Sequence, residues 1–133
     1  DFPGALQMGI MRRLFESRPW HTLEPDQSSV VAGQGLGESH IQAALASDGK
    51  FLFVYIPRSN KLTIDMTKIN GRQATAYWFN PRDAESKLIG KFPCSGTREF
   101  SPPSRGSDND WVLVLDETRQ DFTIPGTPGR NMH

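Results

Sequence analysis

The stretch that organises the chain is residues 76–83, which read Ala-Tyr-Trp-Phe-Asn-Pro-Arg-Asp. Its three consecutive aromatic residues favour a β-strand, because such side chains fit a pleated, half-buried surface. The Asn-Pro pair then predicts a corner, followed by two charged residues. Strand alternation places Trp78 on one face and Tyr77 and Phe79 on the other. The segment therefore predicts a strand with aromatic side chains on both faces that ends in a charged turn.

Short apolar runs separated by turn residues predict further strands. Residues 41–56 form the clearest hairpin, whose Asp-Gly turn at 48–49 tolerates positive φ. Residues 62–67 alternate apolar and polar, and the wholly apolar run 111–115 predicts a central strand. Shorter strands are predicted at 87–92, 97–100 and around 30–31. With about ten residues between turns and no helical patterns between the strands, the sequence predicts an all-β fold, an antiparallel immunoglobulin-like β-sandwich.

One N-terminal amphipathic helix is predicted at residues 3–17. Leu6, Ile10 and Leu14 recur there at helical spacing, and a proline suits the first helical position. Since the rest of the chain is strand-like, this helix either packs on the sandwich or belongs to a preceding helical layer outside the chain. We favour the preceding layer. The N-terminus is neither a signal peptide nor an initiator Met, so we expect a piece of a longer protein.

Composition divides the chain into four predicted parts: the helix at 1–19, a linker at 20–38, the β-sandwich at 39–120 and a flexible tail at 121–133. The linker is rich in glycine, serine and proline, and apolar content falls towards the tail. A single domain of this length can bury one real core.

Charge and cysteine content exclude several classes of partner. The chain has 15 Lys and Arg against 15 Asp and Glu, so it has no net charge, and no face is obviously basic. We therefore predict no nucleic acid and no membrane as partners. Cys94 is the only cysteine, and with the three histidines it shows no metal-ligand spacing. We predict no metal and no cofactor.

The candidate ligand-binding residues are aromatic or charged, because sugar rings and proline-rich chains stack on aromatic faces. They are Tyr77, Phe79, Arg82 and Tyr55. The alternative for Tyr77 and Phe79 is packing in a core or an interface, which we favour because buried aromatics dominate core energetics. Tyr55 and Trp20 are the better candidates for exposure. For Arg82 the alternative is a structural ion pair at the corner. No local motif identifies a catalytic nucleophile or base.

A series of motifs resembles the C-terminal region of the apiosidase-like glycoside hydrolases. In chain order these are the helix start Gly4–Met8, Arg18-Pro19-Trp20 with Leu23-x-Pro25-Asp26, the Asp48-Gly49 hairpin, the Trp78–Arg82 corner and the run Asp110–Leu115. In that family a (β/α) barrel precedes a small β domain that carries a collagen-binding label. The resemblance implies that residues 1–19 correspond to the last helix of the barrel. It also implies that the catalytic carboxylates lie in the barrel, outside this chain.

The function implied by the resemblance is that of a non-catalytic accessory domain, which packs on the barrel and assists polysaccharide binding. The predicted barrel contacts are Leu6, Ile10, Leu14 and Trp20. The alternative is an independent collagen- or protein-binding module, and a third hypothesis is that the chain is itself a small hydrolase. An extracellular or periplasmic location is implied by the resemblance alone.

Overall fold

The computed structural model describes residues 22–26, 29–32, 41–56, 61–80, 85–103 and 110–120, and these residues form an all-β structure. The strands are β1 (Leu23–Pro25), β2 (Val30–Ala32), β3 (Gln42–Ala46), β4 (Phe51–Ile56), β5 (Leu62–Asp65), β6 (Gln73–Asn80), β7 (Glu85–Pro93), β8 (Thr97–Phe100) and β9 (Trp111–Glu117). Short 3₁₀ turns follow β5 at Met66–Lys68 and β9 at Thr118–Gln120. The predicted helix at 3–17 lies outside the described residues.

The strands form two antiparallel sheets. The larger sheet has six strands in the order β1-β3-β4-β9-β6-β7, and the smaller has three in the order β2-β5-β8. The predicted central strand is confirmed, since β9 pairs with β4 on one side and with β6 on the other. The predicted hairpin is also confirmed, because β3 and β4 pair directly across their turn. An all-β antiparallel fold is therefore the observed architecture.

A first apolar core, which we call the inner core, lies between the two sheets. Leu52, Val54 and Ile56 of β4 alternate towards it, and Leu62 and Ile64 of β5 contribute from the smaller sheet. Each such side chain is almost fully buried, and burying one stabilises the fold by about 1.5–3 kcal/mol relative to leaving it exposed. Two tryptophans, one on β6 and one on β9, meet edge to face in this core with ring centroids 6.2 Å apart. The core accordingly joins both sheets into a β-sandwich.

A second apolar cluster lies on the opposite face of the six-stranded sheet. We call it the outer cluster, and its buried members are Ala46, Phe51, Phe53, Tyr55, Phe79, Val112 and Val114. Every residue of β4 and of β9 is buried, so these strands are covered on both faces. This explains why their sequences are continuously apolar for most of their length instead of alternating. The faces of Trp78 and Phe79 predicted from alternation are confirmed, since the first lies in the inner core and the second in the outer cluster.

The predicted linker at 20–38 is corrected in its described part. The short strand expected around 30–31 is present as β2, but β1 was not expected, and the two strands join different sheets. Backbone pairing extends past β1, because the amide of Asp26 donates to the carbonyl of Ala43 at 2.9 Å. Strands of three residues are too short for alternation to appear in the sequence. Only its long-range partner, β3, identifies β1.

The β3–β4 turn is held against a second turn of the chain. Gly49 has φ of +74°, a conformation that favours glycine. Its carbonyl accepts a hydrogen bond from the amide of Asn70 at 2.7 Å, and the Asn70 side chain donates to the carbonyl of Asp48 at 3.3 Å. A Cβ added at Gly49 would lie 2.8 Å from the Cβ of Asn70. The hairpin tip therefore requires glycine both for its backbone conformation and for space.

Substituting Gly49→Ala is expected to lower the free energy of unfolding by about 2–4 kcal/mol, since it combines an unfavourable φ with a steric overlap. Gly96→Ala is the matched control, because Gly96 has φ of +64° but a Cβ there meets nothing within 4 Å. The control substitution should lower the free energy of unfolding by about 1 kcal/mol, which is the cost of the backbone conformation alone. Urea denaturation of both variants measures the difference. Equal losses in the two variants would contradict the role of the Asn70 contact.

Candidate functional site

The structure separates the predicted ligand-binding residues. Tyr77 is partly buried and faces the outer side of the six-stranded sheet, where it lines a surface pocket. Phe79 is 0% exposed and Tyr55 is 5% exposed, so their rings are packed within the outer cluster and do not present a binding face to solvent. Arg82 lies outside the described residues, as do the predicted barrel contacts Leu6, Ile10, Leu14 and Trp20.

The pocket has a volume of about 230 Å³ and lies where β6, β7 and β9 run side by side. We call it the outer pocket. Its lining combines one aromatic and one aliphatic side chain with hydroxyl, ammonium and carboxylate groups. The lining residues are Thr75, Tyr77, Leu88, Lys91, Asp116, Glu117 and Thr118.

Strand register arranges these side chains in two rows. In the first row Thr75 is paired with Lys91 on one side and with Asp116 on the other, so three polar residues lie side by side across the strands. In the second row Tyr77 is paired with Leu88. Paired residues of adjacent antiparallel strands have Cβ atoms about 5 Å apart. The pocket consequently has a polar side and an apolar side, next to each other.

A β-bulge brings Leu88 and Lys91 onto the same face. Residues three apart in a regular strand point to opposite faces, so these two side chains would not share a pocket in an unbroken β7. The register with β6 shifts between Ala76 and Tyr77, which leaves Ile89 as the extra residue of β7. Ile89 packs on the inner core, and the next residue, Gly90, has φ of +151°. The bulge therefore creates the pocket from residues whose spacing in the sequence separates them.

Two acidic residues lie at the β9 end of the pocket. Asp116 is 4% exposed and Glu117 is 1% exposed. The Oε2 atom of Glu117 accepts a hydrogen bond from the amide of Arg119 at 3.2 Å and lies 3.5 Å from the Nε atom of the same residue. Next to them, the hydroxyls of Thr75 and Thr118 are 3.0 Å apart. These contacts hold the 3₁₀ turn after β9 against β6.

The Cys94 thiol lies near the same acidic residue. Burial, and then the negative charge of Glu117, raise the pKa of Cys94. The thiolate is the reactive form of cysteine, so both effects disfavour Cys94 as a nucleophile at neutral pH. The described residues thus give this side chain a packing role.

Tyr55 makes a specific bond at the start of β9. Its hydroxyl donates to the Oδ2 atom of Asp110 at 3.1 Å. Burial raises the pKa of Tyr55, and the Asp110 charge and this hydrogen bond raise it further. The bond fixes the residue that immediately precedes Trp111 and hence the entry of the chain into the central strand.

Among the residues the structure describes, no group of three or more His, Cys, Asp or Glu side chains could hold a metal ion. The described segments also contain no helix long and apolar enough to cross a membrane. The chemistry that the outer pocket offers is hydrogen bonding beside an apolar surface.

Sequence reasoning identified Tyr77 but missed the other residues of the outer pocket. Thr75, Leu88, Lys91, Asp116 and Thr118 belong to three segments that are separated by loops, and no local motif connects them. The available signals were the separately predicted strands at 76–83 and 111–115. They could not be used without the register and the bulge.

Comparison with known proteins gives one family and several similar structures. The family model described as "Putative collagen-binding domain of a collagenase" matches residues 24–116. A solved structure described as "Glycoside hydrolase" is 27% identical with a TM-score of 0.82, over 88% of this chain and 26% of that one. A glycoside hydrolase family 5 structure from Bacteroides vulgatus ATCC 8482 is 27% identical with a TM-score of 0.81, over 88% of this chain and 25% of that one. The chain thus spans about a quarter of the length of these two proteins. No curated protein matches the chain.

Substituting Tyr55→Phe is expected to lower the free energy of unfolding by about 1–3 kcal/mol at neutral pH, because the part-buried carboxylate of Asp110 loses the hydrogen bond from the Tyr55 hydroxyl. Since folding raises the pKa of Tyr55 above the ordinary value of 10.0, its contribution is complete below pH 10 and is lost as the pH rises beyond it. The stability difference between the native chain and Tyr55→Phe should therefore narrow above pH 10. Denaturation curves at a series of pH values measure this.

The variant Tyr77→Phe provides the control, since Tyr55 and Tyr77 are the two tyrosines of the chain. With Tyr55 as the remaining tyrosine, the ultraviolet absorbance of tyrosinate reports its ionisation directly. Half-ionisation of the folded protein at about pH 10, the ordinary value, would show that the Asp110 bond does not operate in solution.

Proposed function

Because this chain belongs to the family described as "Putative collagen-binding domain of a collagenase", we propose that it is the non-catalytic C-terminal accessory domain of a glycoside hydrolase. The observation that carries the proposal is the unequal coverage of the similar structures. Each is a glycoside hydrolase, and the match takes 88% of this chain but only about a quarter of theirs. The rest of such a protein is about three times as long as the matched part, which is sufficient for a (β/α) barrel of about 250 residues. In this proposal the barrel carries the catalytic carboxylates.

The outer cluster supports a role in packing on that barrel. A two-layer sandwich needs to bury only one face of each sheet. Here Phe51, Phe53 and Phe79 are fully buried on the face that points away from the smaller sheet. A sheet that is apolar and buried on both faces lies between two layers of structure. We propose that this layer comes from the barrel side of the parent protein.

The position of β1 is consistent with this arrangement. Leu23, at the start of β1, packs against the outer cluster. Residues 1–19 come shortly before this strand in the sequence. We propose that residues 1–19 form the last helix of the barrel and that Leu6, Ile10, Leu14 and Trp20 contribute to the same interface. We also propose that the sandwich is of the immunoglobulin type, which two antiparallel sheets of short strands support.

A second candidate function is an independent collagen- or protein-binding module. The family description favours it directly. A family name does not by itself establish a ligand, since one fold carries many functions. Retention on immobilised collagen at physiological salt distinguishes this candidate from the accessory role.

The 133-residue chain is expected to show no turnover of aryl glycosides, because the proposal places catalysis in the barrel. The coding sequence directly upstream of Asp1 is expected to encode that barrel. The proposal would be contradicted if the purified chain hydrolysed aryl glycosides and its turnover rate per mole of chain stayed constant through repeated purification. An upstream coding sequence that lacks the alternating strands and helices of a (β/α) barrel would contradict it as well.

In a parent protein that contains the barrel, removal of residues 22–133 is expected to lower the melting temperature of the barrel, because its contact face loses its apolar cover. A loss of about 2 kcal/mol corresponds to a decrease of several degrees in a protein of this size. Calorimetry with and without these residues measures the change. Identical melting temperatures would exclude the packing role and leave the binding-module candidate.

A further inference from the structure

We propose that the outer pocket is a subsite for one neutral sugar ring of a polysaccharide. This inference rests on the proposed accessory role in a glycoside hydrolase and assigns a ligand class to a surface formed by β6, β7 and β9. The pocket is built on three paired strands, so the backbone positions of its residues are fixed before any ligand binds. Its parts correspond to the two kinds of surface that a sugar ring presents.

The apolar side of the pocket fits the C–H face of a sugar ring. Leu88 is 65% exposed and is the direct cross-strand partner of Tyr77. Together they form an apolar strip about 5 Å wide from one strand to the next. Aromatic rings are amphipathic and bind partners that are apolar on one side and wet on the other. A sugar ring has this character, since its C–H face is apolar and its hydroxyl groups are polar.

The polar side of the pocket matches the hydroxyl groups of a sugar. Lys91 supplies hydrogen-bond donors and Asp116 supplies acceptor oxygens. The hydroxyls of Thr75 and Thr118 bond to each other, which leaves one hydroxyl hydrogen to donate and further lone pairs to accept. Thr75 lies between Lys91 and Asp116 in the cross-strand row, so donors and acceptors are close together. Sugar hydroxyls donate and accept in turn, and this mixed row can satisfy both functions.

Charge favours a neutral sugar over an anionic one. The lining includes the carboxylates of Asp116 and Glu117 and the ammonium group of Lys91, and Glu117 is already paired with Arg119 at 3.5 Å, so the pocket has no excess of positive charge for an anionic sugar. A uronic acid or sulfated sugar would place a further negative charge beside these carboxylates, and like charges at short range repel. The pocket volume of about 230 Å³ is below the range of about 300–1,000 Å³ that encloses a whole small-molecule ligand. This size fits one ring of a longer chain.

Nuclear magnetic resonance titration of the 133-residue chain tests the proposal. The neutral probes are galactomannan, xyloglucan and arabinogalactan oligosaccharides, the anionic probe is oligogalacturonate, and a triple-helical collagen peptide is the protein probe. Neutral oligosaccharides should shift the signals of Thr75, Leu88 and Thr118. Oligogalacturonate should bind at least about tenfold more weakly, because of the carboxylates.

Leu88→Asn should weaken binding of the neutral oligosaccharide about tenfold, since it removes an apolar contact from the ring face. Val31→Asn is the matched control. Val31 is the other large apolar side chain exposed among the described residues, at 51%, and it lies on β2 in the smaller sheet. Both positions are exposed, so neither substitution should prevent folding. The control variant should bind as the native chain does.

Three results would overturn the proposal: no shifts at the outer pocket with any neutral oligosaccharide, equal effects of Leu88→Asn and Val31→Asn, or shifts at these residues with the collagen peptide alone. Melting of the parent protein measures the accessory role separately. If the sandwich stabilises the barrel but the pocket shows no shifts with sugars, only the subsite is excluded. If removal of the sandwich leaves the melting temperature of the barrel unchanged, the packing role is excluded, whatever the result of the titration.

Discussion

Burial of the strands β4 and β9 on both faces is the constraint on which the rest of this structure depends. Each of their residues is withdrawn from solvent, so at these two strands the six-stranded sheet is covered on both faces. Inner residues such as Leu52 and Leu113 hold the smaller sheet, while outer residues such as Phe53 and Val114 form the second cluster. Two apolar faces on one sheet require cover on both sides, because exposed apolar area of this size is unfavourable in water. The outer side chains of β4 and β9 are already covered within this chain, and we propose that this cover belongs to the packing on a neighbouring domain.

The same constraint determines where a ligand can bind. Near β4 the outer face is filled by packed aromatic rings. The rings of Tyr55 and Phe79 are therefore not accessible to a ligand. Towards the edge strand β7 the side chains become polar, and Tyr77 marks the transition because it packs on the outer cluster and also lines the outer pocket. Edge strands commonly carry charged residues and bulges, which protect them from pairing with other chains. In β7 the bulge also assembles the pocket.

The proposed accessory role unites these observations with the comparisons. A module that covers a quarter of a glycoside hydrolase has little need of its own catalytic groups, and it benefits from a rigid attachment and a nearby contact with the substrate. The outer cluster indicates that a further layer packs on the outer side of the sheet, and the outer pocket provides polar and apolar groups suited to a neutral sugar. Both lie on the outer side of the same sheet. A single side of the sandwich would then face the enzyme and its polysaccharide.

The sequence by itself determined the all-β class, the hairpin at 41–56, the central strand at 111–115 and the two faces of the strand at 76–80. These features depend on local alternation, on turn chemistry and on apolar runs, which are readable over a few residues. Only the tertiary structure decided the three-residue strand β1, the burial of Tyr55 against Asp110 and the outer pocket. Each of these depends on partners that are distant in the chain, and the pocket depends further on a one-residue bulge that reverses the faces of β7. A shift of one residue changes the face of every side chain beyond it, and the pattern of a single strand does not record the register of its neighbours.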